Sequence, residues 1–375
     1  MRGYLAVFAV AAFVTAALIP VAIRIAIRFG IIAEPDAERR LHPRPTPVLG
    51  GFAMCVGACA AILLASHLRQ FHEMFSSSSE ALGVVVGALV IVGVGFLDDV
   101  WEVSAPAKLA GQVLAGSAMY LFGLTLDQLQ IPFGGNVQIS ADLAPLFTVL
   151  WVVGIANAIN LIDGLDGLAA GIVGIASVSF LLYSTRLFDD QIITGSNIGP
   201  LIAAVTAGIC AGFLPYNFTP AKIFMGDAGS MLLGLLVAVS TMVVGGRAVP
   251  GVATRGQRYF FFAPLLIPFL LLAVPVVDTV AAIVRRTINR SGFATADRQH
   301  IHYRLLELGH GPRRAVVILW AFTALLSGFA LVPVFFASRW ALAPLLVGLV
   351  GVVVLTLWHP DLRAQRRVRR VQPNK

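Results

Sequence analysis

Charge is scarce in this sequence. Asp, Glu, Lys and Arg make up 12% of its 375 residues, against roughly 25% in a soluble domain. A chain so poor in charge cannot coat a water-facing surface, and its 58% hydrophobic content excludes a soluble globular fold. Cysteine is also scarce, with Cys55, Cys59 and Cys210 all inside apolar runs. The absence of a Cys-x-x-Cys pair or a Cys/His ligand spacing excludes a disulfide framework and a zinc site. The chain also lacks a dinucleotide-binding glycine fingerprint, a Walker lysine loop and a His-Glu-x-x-His string.

Long apolar runs are what the chain has. A helix needs about 20 residues to cross the hydrocarbon core, and such runs predict spans near 3–28, 48–68, 81–98, 107–125, 143–160, 165–185, 198–215, 228–245, 258–284, 314–336 and 339–358. The reading is an all-α polytopic membrane protein of about eleven transmembrane helices. The first run ends at Arg24 and Arg28 with no small-residue cleavage site, so it reads as a retained helix and not a signal peptide. The segment LDQLQIPFGGNVQIS alternates apolar and polar residues around Gly134 and Gly135, which predicts a small periplasmic β-hairpin. Ser76 to Ser79 read as a flexible turn.

Acidic residues are outnumbered, 19 against 27 basic ones. Only Arg2, Arg69, Arg186, Arg247, Arg255, Arg258 and Arg339 fall on the face shared by the N-terminus and the even loops. The other basic residues gather in the odd loops and in the tail RAQRRVRRVQPNK. By the positive-inside rule that face is cytoplasmic and the N-terminus periplasmic. Topology thus accounts for the basic surplus, and no nucleic-acid partner is expected. Residues 1–358 form one integral membrane domain with cytoplasmic loops near 29–47, 98–107, 157–167, 215–228 and 285–313. Residues 359–375 form a basic cytoplasmic tail.

The unusual polar residues map to that same face. In GFLDDVWEVSAPAK, Asp98 and Asp99 close a helix whose dipole disfavours anions there, so a metal, a proton or a lysine such as Lys108 must compensate. In NAINLIDGLDGLAAG, the pairs Asn157/Asn160 and Asp163/Asp166 each have helical spacing. Their oxygens suit a hard cation such as magnesium, although an Asn/Asp/Gly turn has the same composition. In YNFTPAKIFMGDAGSMLLG, Asp227 and Ser230 open a helix whose free amides attract phosphate. Lys222 stands close by. The loop from Arg285 to Arg314 contains DRQHIHYRLLELGH, whose His300, His302 and Arg304 can hold a diphosphate through charge-assisted hydrogen bonds. His310 reads as a bystander. Asp278, within a span, is either functional or paired with Arg285. Together these groups equip a membrane surface for phosphoryl transfer, where positioning and charge neutralisation supply most of the catalysis.

The ordered strings PRPTPVLGG, FLDD, NAINLIDGLDGLAAG, PAKIFMGDAGS and HIHYRL resemble the polyprenyl-phosphate N-acetylhexosamine-1-phosphate transferases, the family of the WecA-, TagO- and MraY-like enzymes. The resemblance covers about residues 40 to 310. It implies a magnesium-dependent reaction, manganese being an alternative, in which undecaprenyl phosphate attacks the β-phosphorus of a UDP-N-acetyl sugar and UMP leaves. By similarity Asp227 and Asn160 hold the metal. Asp98, Asp99, Asp227, His300 and His302 form the catalytic set. Substrate contacts fall to Arg44, Lys108, Asn157, Asp163, Asp166, Asn217, Lys222, Phe224 and Arg304, with Asn217 and Phe224 near uracil. Asp98 either positions the lipid phosphate or deprotonates it, and positioning is preferred because that phosphate is already ionised near neutral pH. His300 and His302 follow the WecA-like spacing, but Tyr303 stands where that pattern has a third histidine. The resemblance implies UDP-GlcNAc as donor, in a bacterial inner-membrane enzyme that initiates cell-envelope polysaccharide. Related UDP-sugars, an MraY-like pentapeptide donor and a homodimer stay open. A transporter is the rival class, disfavoured by the one-sided placement of the polar strings and the absence of a repeat.

Overall fold

The computed structural model describes residues 1–33, 45–131, 135–191, 193, 196–245, 305–306, 308–336 and 342–357. The long helices are α1 (Arg2–Phe29), α2 (Gly50–His67), α4 (Glu80–Trp101), α5 (Ala105–Leu121), α6 (Ala144–Ile162), α7 (Leu168–Asp189), α8 (Gly199–Asn217), α9 (Gly226–Gly245), α10 (Pro312–Phe335) and α11 (Ala343–Leu357). A 3-10 turn (Arg69–Phe71) and the short α3 (His72–Ser77) occupy the α2–α4 connection, so Ser76 and Ser77 are helical and the turn is confined to Ser78 and Ser79. Ten of the predicted spans thus fall on helices, and the span at 258–284 lies outside the described residues. Among the described residues, eight helices are long and apolar enough to cross a membrane, α5 and α11 being shorter. The hairpin forms between β3 (Gln128–Ile131) and β4 (Gly135–Gln138), antiparallel with Leu129 opposite Val137. A second small pair joins β1 (Ile32–Ala33) to β2 (Thr46–Pro47).

Local chemistry sets the helix ends. Gly30 takes the left-handed conformation (φ 69°) and closes α1, its N–H reaching Ala26 and Ile27 carbonyls, as glycine readily does. Pro106, Pro145 and Pro200 sit in the first turns of α5, α6 and α8, where a missing N–H costs nothing.

Helix α9 is the central post. Every residue from Ala228 to Gly245 is buried, and α2, α4, α6, α7 and α8 all pack against it. Lipid tails are as apolar as leucine, so helices associate in a bilayer by close packing of small residues more than by hydrophobic force. That packing is visible here. A Cβ on Gly51 would lie 2.8 Å from the Gly229 Cα, and one on Gly95 would lie 2.7 Å from the Asp227 carbonyl carbon. Large apolar residues such as Phe13 and Leu121 face outward, as lipid contact permits. Helices α2 and α4 therefore come into backbone contact with the N-terminal turn of α9, where Asp99, Lys108, Asn160 and Asp227 meet.

Candidate active site

Asp98 and Asp99 lie in the last turns of α4, which runs past them to Trp101. Consecutive helical residues diverge by about 100°, and the two carboxylates serve different neighbours. Asp98 accepts a 2.8 Å hydrogen bond from the Lys108 ammonium. Asp99 Oδ1 accepts the Asp227 main-chain N–H at 2.8 Å and its Oδ2 the Ala228 N–H at 3.2 Å. Asp99 is thus an N-terminal cap for α9 supplied by another helix. The anion that its own helix dipole disfavours is stabilised by the positive end of α9. Gly226 accommodates this contact, because it takes φ 67° and a Cβ there would lie 2.7 Å from the Asp99 carboxyl carbon.

With its amide taken by Asp99, Asp227 directs its side chain elsewhere. One oxygen accepts the Lys108 ammonium, and the other accepts the Asn160 amide at 3.0 Å. Asn160 also donates to the Ser230 hydroxyl at 2.8 Å. Lys108 therefore stands between Asp98 and Asp227, and the three side chains are 20%, 18% and 27% exposed. That is enough opening to meet a ligand and enough burial to strengthen the charges.

Asn157 and Asn160 fall where the predicted 143–160 span and 157–167 loop overlap, and Asn217 falls just past the predicted 198–215 span; all three are helical. Asn157 and Asn160 find partners on other helices and Asn217 in the neighbouring loops, and each helix runs two residues past its predicted end. Asn157 is bonded to Gln112 at 2.6 Å. Asn217 is buried, accepting the Gly167 N–H and donating to the Ile223 carbonyl, each at 2.9 Å. Asp166 accepts the Ala221 N–H at 2.9 Å. These two side chains shape the turn between α6 and α7 and the stretch that leads into α9. Phe224 joins that stretch to the start of α2, its N–H meeting the Pro47 carbonyl at 2.9 Å and its carbonyl the Gly50 N–H at 3.0 Å. Lys222 is exposed. His310 bonds the Thr356 carbonyl at 2.9 Å. Arg44, Asp278, Arg285, His300, His302 and Arg304 lie outside the described residues, as does the basic tail.

Asp163 caps α6 and is half-buried. Burial, with Asp99 and Asp166 nearby, pushes its carboxyl up to about 7. An unfolded aspartate titrates near 3.9, so between those values the folded state binds the extra proton. Asp163 therefore contributes stability at low pH that is lost as pH rises through 7. Replacing it with Asn is expected to raise thermal stability relative to wild type increasingly from pH 4 to 7, with a constant difference above. A pH-independent difference in unfolding temperature, measured without divalent cations, would contradict this.

Gln112 belongs to none of the sequence motifs. Its signal was a lone amide in an apolar run, one helical turn beyond Lys108. Among the described residues no cluster of three or more His, Cys, Asp or Glu side chains forms a ready-made metal cage. The oxygen donors here are instead a mixture of carboxylates and amides around a lysine.

Comparison with known proteins gives a consistent picture. Residues 81–245 match glycosyl transferase family 4. A decaprenyl-phosphate N-acetylglucosaminephosphotransferase of Mycolicibacterium smegmatis is 36% identical over 339 residues, covering 89% of this chain and 82% of its own length. A probable undecaprenyl-phosphate N-acetylglucosaminyl 1-phosphate transferase of Bacillus subtilis is 32% identical, covering 80% and 76%. A phospho-N-acetylmuramoyl-pentapeptide-transferase of Mycobacterium bovis is 30% identical, covering 92% and 99%.

Proposed function

The chain belongs to glycosyl transferase family 4 as a glycosyl-1-phosphate transferase of the polyprenyl-phosphate type, and from that membership we propose that it transfers N-acetylglucosamine 1-phosphate from UDP-GlcNAc to undecaprenyl phosphate. A lipid phosphate oxygen attacks the β-phosphorus, the bond to the bridging oxygen breaks, and UMP leaves with that oxygen. The observation that carries this reading is Lys108 held between Asp98 and Asp227 at the start of α9, whose Asp227 and Ala228 amides are capped by Asp99 and are not free for phosphate as the sequence predicts. Such an arrangement orients phosphate oxygens and balances their charge, which is most of what phosphoryl transfer requires. Lys108 contacts phosphate oxygens, and Asp98 positions the lipid phosphate through the Lys108 ammonium that it holds. Asp163 faces the nucleotide, and His300, His302 and Arg304 close over the donor.

The donor set fits a hard divalent cation. Asp227 and Asp98 offer carboxylate oxygens, and the Asn160 nitrogen is committed to Asp227 and Ser230, which leaves its amide oxygen for a cation. The Lys108 ammonium already marks a cation position between the two acids. Asp227 and Asn160 would hold magnesium, with manganese as a substitute, and the bound ion would neutralise the donor diphosphate. We place this site on the cytoplasmic face of a bacterial inner membrane, with the N-terminus outside. The product would be the lipid-linked diphosphate sugar that begins a cell-envelope polysaccharide.

The test is UMP release by the purified full chain with undecaprenyl phosphate, magnesium and a panel of donors. UDP-GlcNAc is expected to turn over, and chelation to reduce the rate at least about 100-fold, with recovery on adding magnesium or manganese. Turnover of UDP-N-acetylmuramoyl-pentapeptide alone would replace the donor assignment, and full activity in chelator would remove the metal.

A further inference from the structure

Beneath Asp227 the helices repeat their meeting one turn deeper. Helix α5 contributes Lys108 and Gln112, α6 contributes Asn160 and Asn157, and α9 contributes Asp227 and Met231. Each pair has the spacing of one helical turn. Lys108, Asn160 and Asp227 join in the upper tier. In the lower tier Gln112 and Asn157 exchange amide hydrogen bonds of 2.6 and 3.3 Å, and the Gln112 nitrogen also meets the Met231 sulfur at 3.1 Å. Asn157 donates in addition to the Val153 carbonyl at 2.8 Å. Gln112 is 1% exposed.

A polar side chain buried this deeply is expensive in a bilayer unless it is bonded, and an apolar residue would fill the space without that expense. What the amide pair adds is direction. Hydrogen bonds tolerate little angular error, so the pair fixes the rotation and height of α5 against α6. Since Lys108 is on the same face as Gln112, that setting determines whether its ammonium reaches both Asp98 and Asp227. We propose that Gln112, paired with Asn157, is a positioning residue that holds Lys108 between the two aspartates. Its kinetic consequence rests on the reaction proposed above, whereas its geometric consequence does not.

The chain has three lysines, Lys108, Lys222 and Lys375, so amine acetylation can be followed at each by mass spectrometry. Lys222 is exposed and serves as the internal reference. In the full-length wild type Lys108, 20% exposed and ion-paired, is expected to be acetylated more slowly than Lys222. Gln112→Met, of similar length and apolar, is expected to raise the Lys108/Lys222 ratio about fivefold. It should also lower kcat about 10- to 100-fold, with the donor KM within about twofold. Asn157→Leu should raise the Lys108/Lys222 ratio by a similar factor. The exchange Gln112→Asn with Asn157→Gln rebuilds an amide pair and should recover most of both losses, which a loss of general stability would not predict. Unchanged Lys108 acetylation in folded Gln112→Met, or an exchange variant no better than the single variants, would overturn the proposal. A wild type silent with every donor would strike the proposed reaction, and the acetylation ratio would still decide the role of Gln112.

Discussion

Asp227→Asn is expected to lower turnover about 100- to 1,000-fold, the usual cost of deleting one preorganised electrostatic group. The change keeps the shape of the side chain and leaves the main-chain N–H bonded to Asp99. It removes the negative charge that Lys108 shares with Asp98, and with it the anionic oxygen available to a cation. Loss of an acid from the first turn of α9 costs about 0.3–1 kcal/mol, and relief of repulsion from nearby carboxylates offsets part of that. Thermal unfolding in detergent should therefore stay close to wild type while UMP release collapses. A variant with full activity would end the role assigned to Asp227.

Asp98 and Asp99 are expected to fail in different ways. Asp99→Ala removes both acceptors from the start of α9 and leaves two amides without their cap. That should cost about 2–3 kcal/mol of stability, and Asp99→Asn should recover part of it through one remaining oxygen. Asp98→Ala breaks a partly exposed ion pair with Lys108, worth about 1 kcal/mol or less to the fold, and should instead reduce the rate. Unfolding temperature and UMP release measured on the same preparations separate the two. Equal destabilisation by both alanine variants would refute the division of roles.

That division could not be read from the string FLDD. The need for compensation was legible, because two acids at a helix C-terminus oppose its dipole, and Lys108 was legible as a partner. The second compensating group is the start of α9, a backbone feature with no signature near Asp99 in the chain. Spans were legible because hydropathy is set residue by residue. Their exact ends near Asn160 and Asn217 were not, since Asn and Gly signal turns locally while the partners of these side chains are distant in the chain or in loops. Gln112 is the same case in reverse, a residue whose meaning depends on Asn157, 45 positions away. Stretches such as PVLGG and MGDAGS stood out through the family resemblance. Their packing role emerges only when the Gly50 and Gly51 amides meet the Phe224 and Met225 carbonyls at 3.0 Å.

The bonds that gather at the head of α9 have a consequence for biogenesis. Asn160, Lys108 and Asp99 reach it across 67, 119 and 128 positions of chain, and Gly50 and Gly51 reach back still farther. A ribosome delivers α4 and α5 to the membrane well before α9 exists. Throughout that interval Asp99 has no amides to cap, and Lys108 has only Asp98. The nascent chain thus carries an incomplete charge cluster at the membrane edge until α9 arrives and completes it. Long-range closure of this kind is slow, and an unfinished chain exposes the surface it will later bury. A polypeptide that stalls before residue 226 therefore carries most of the acidic residues of the site without the helix that organises them.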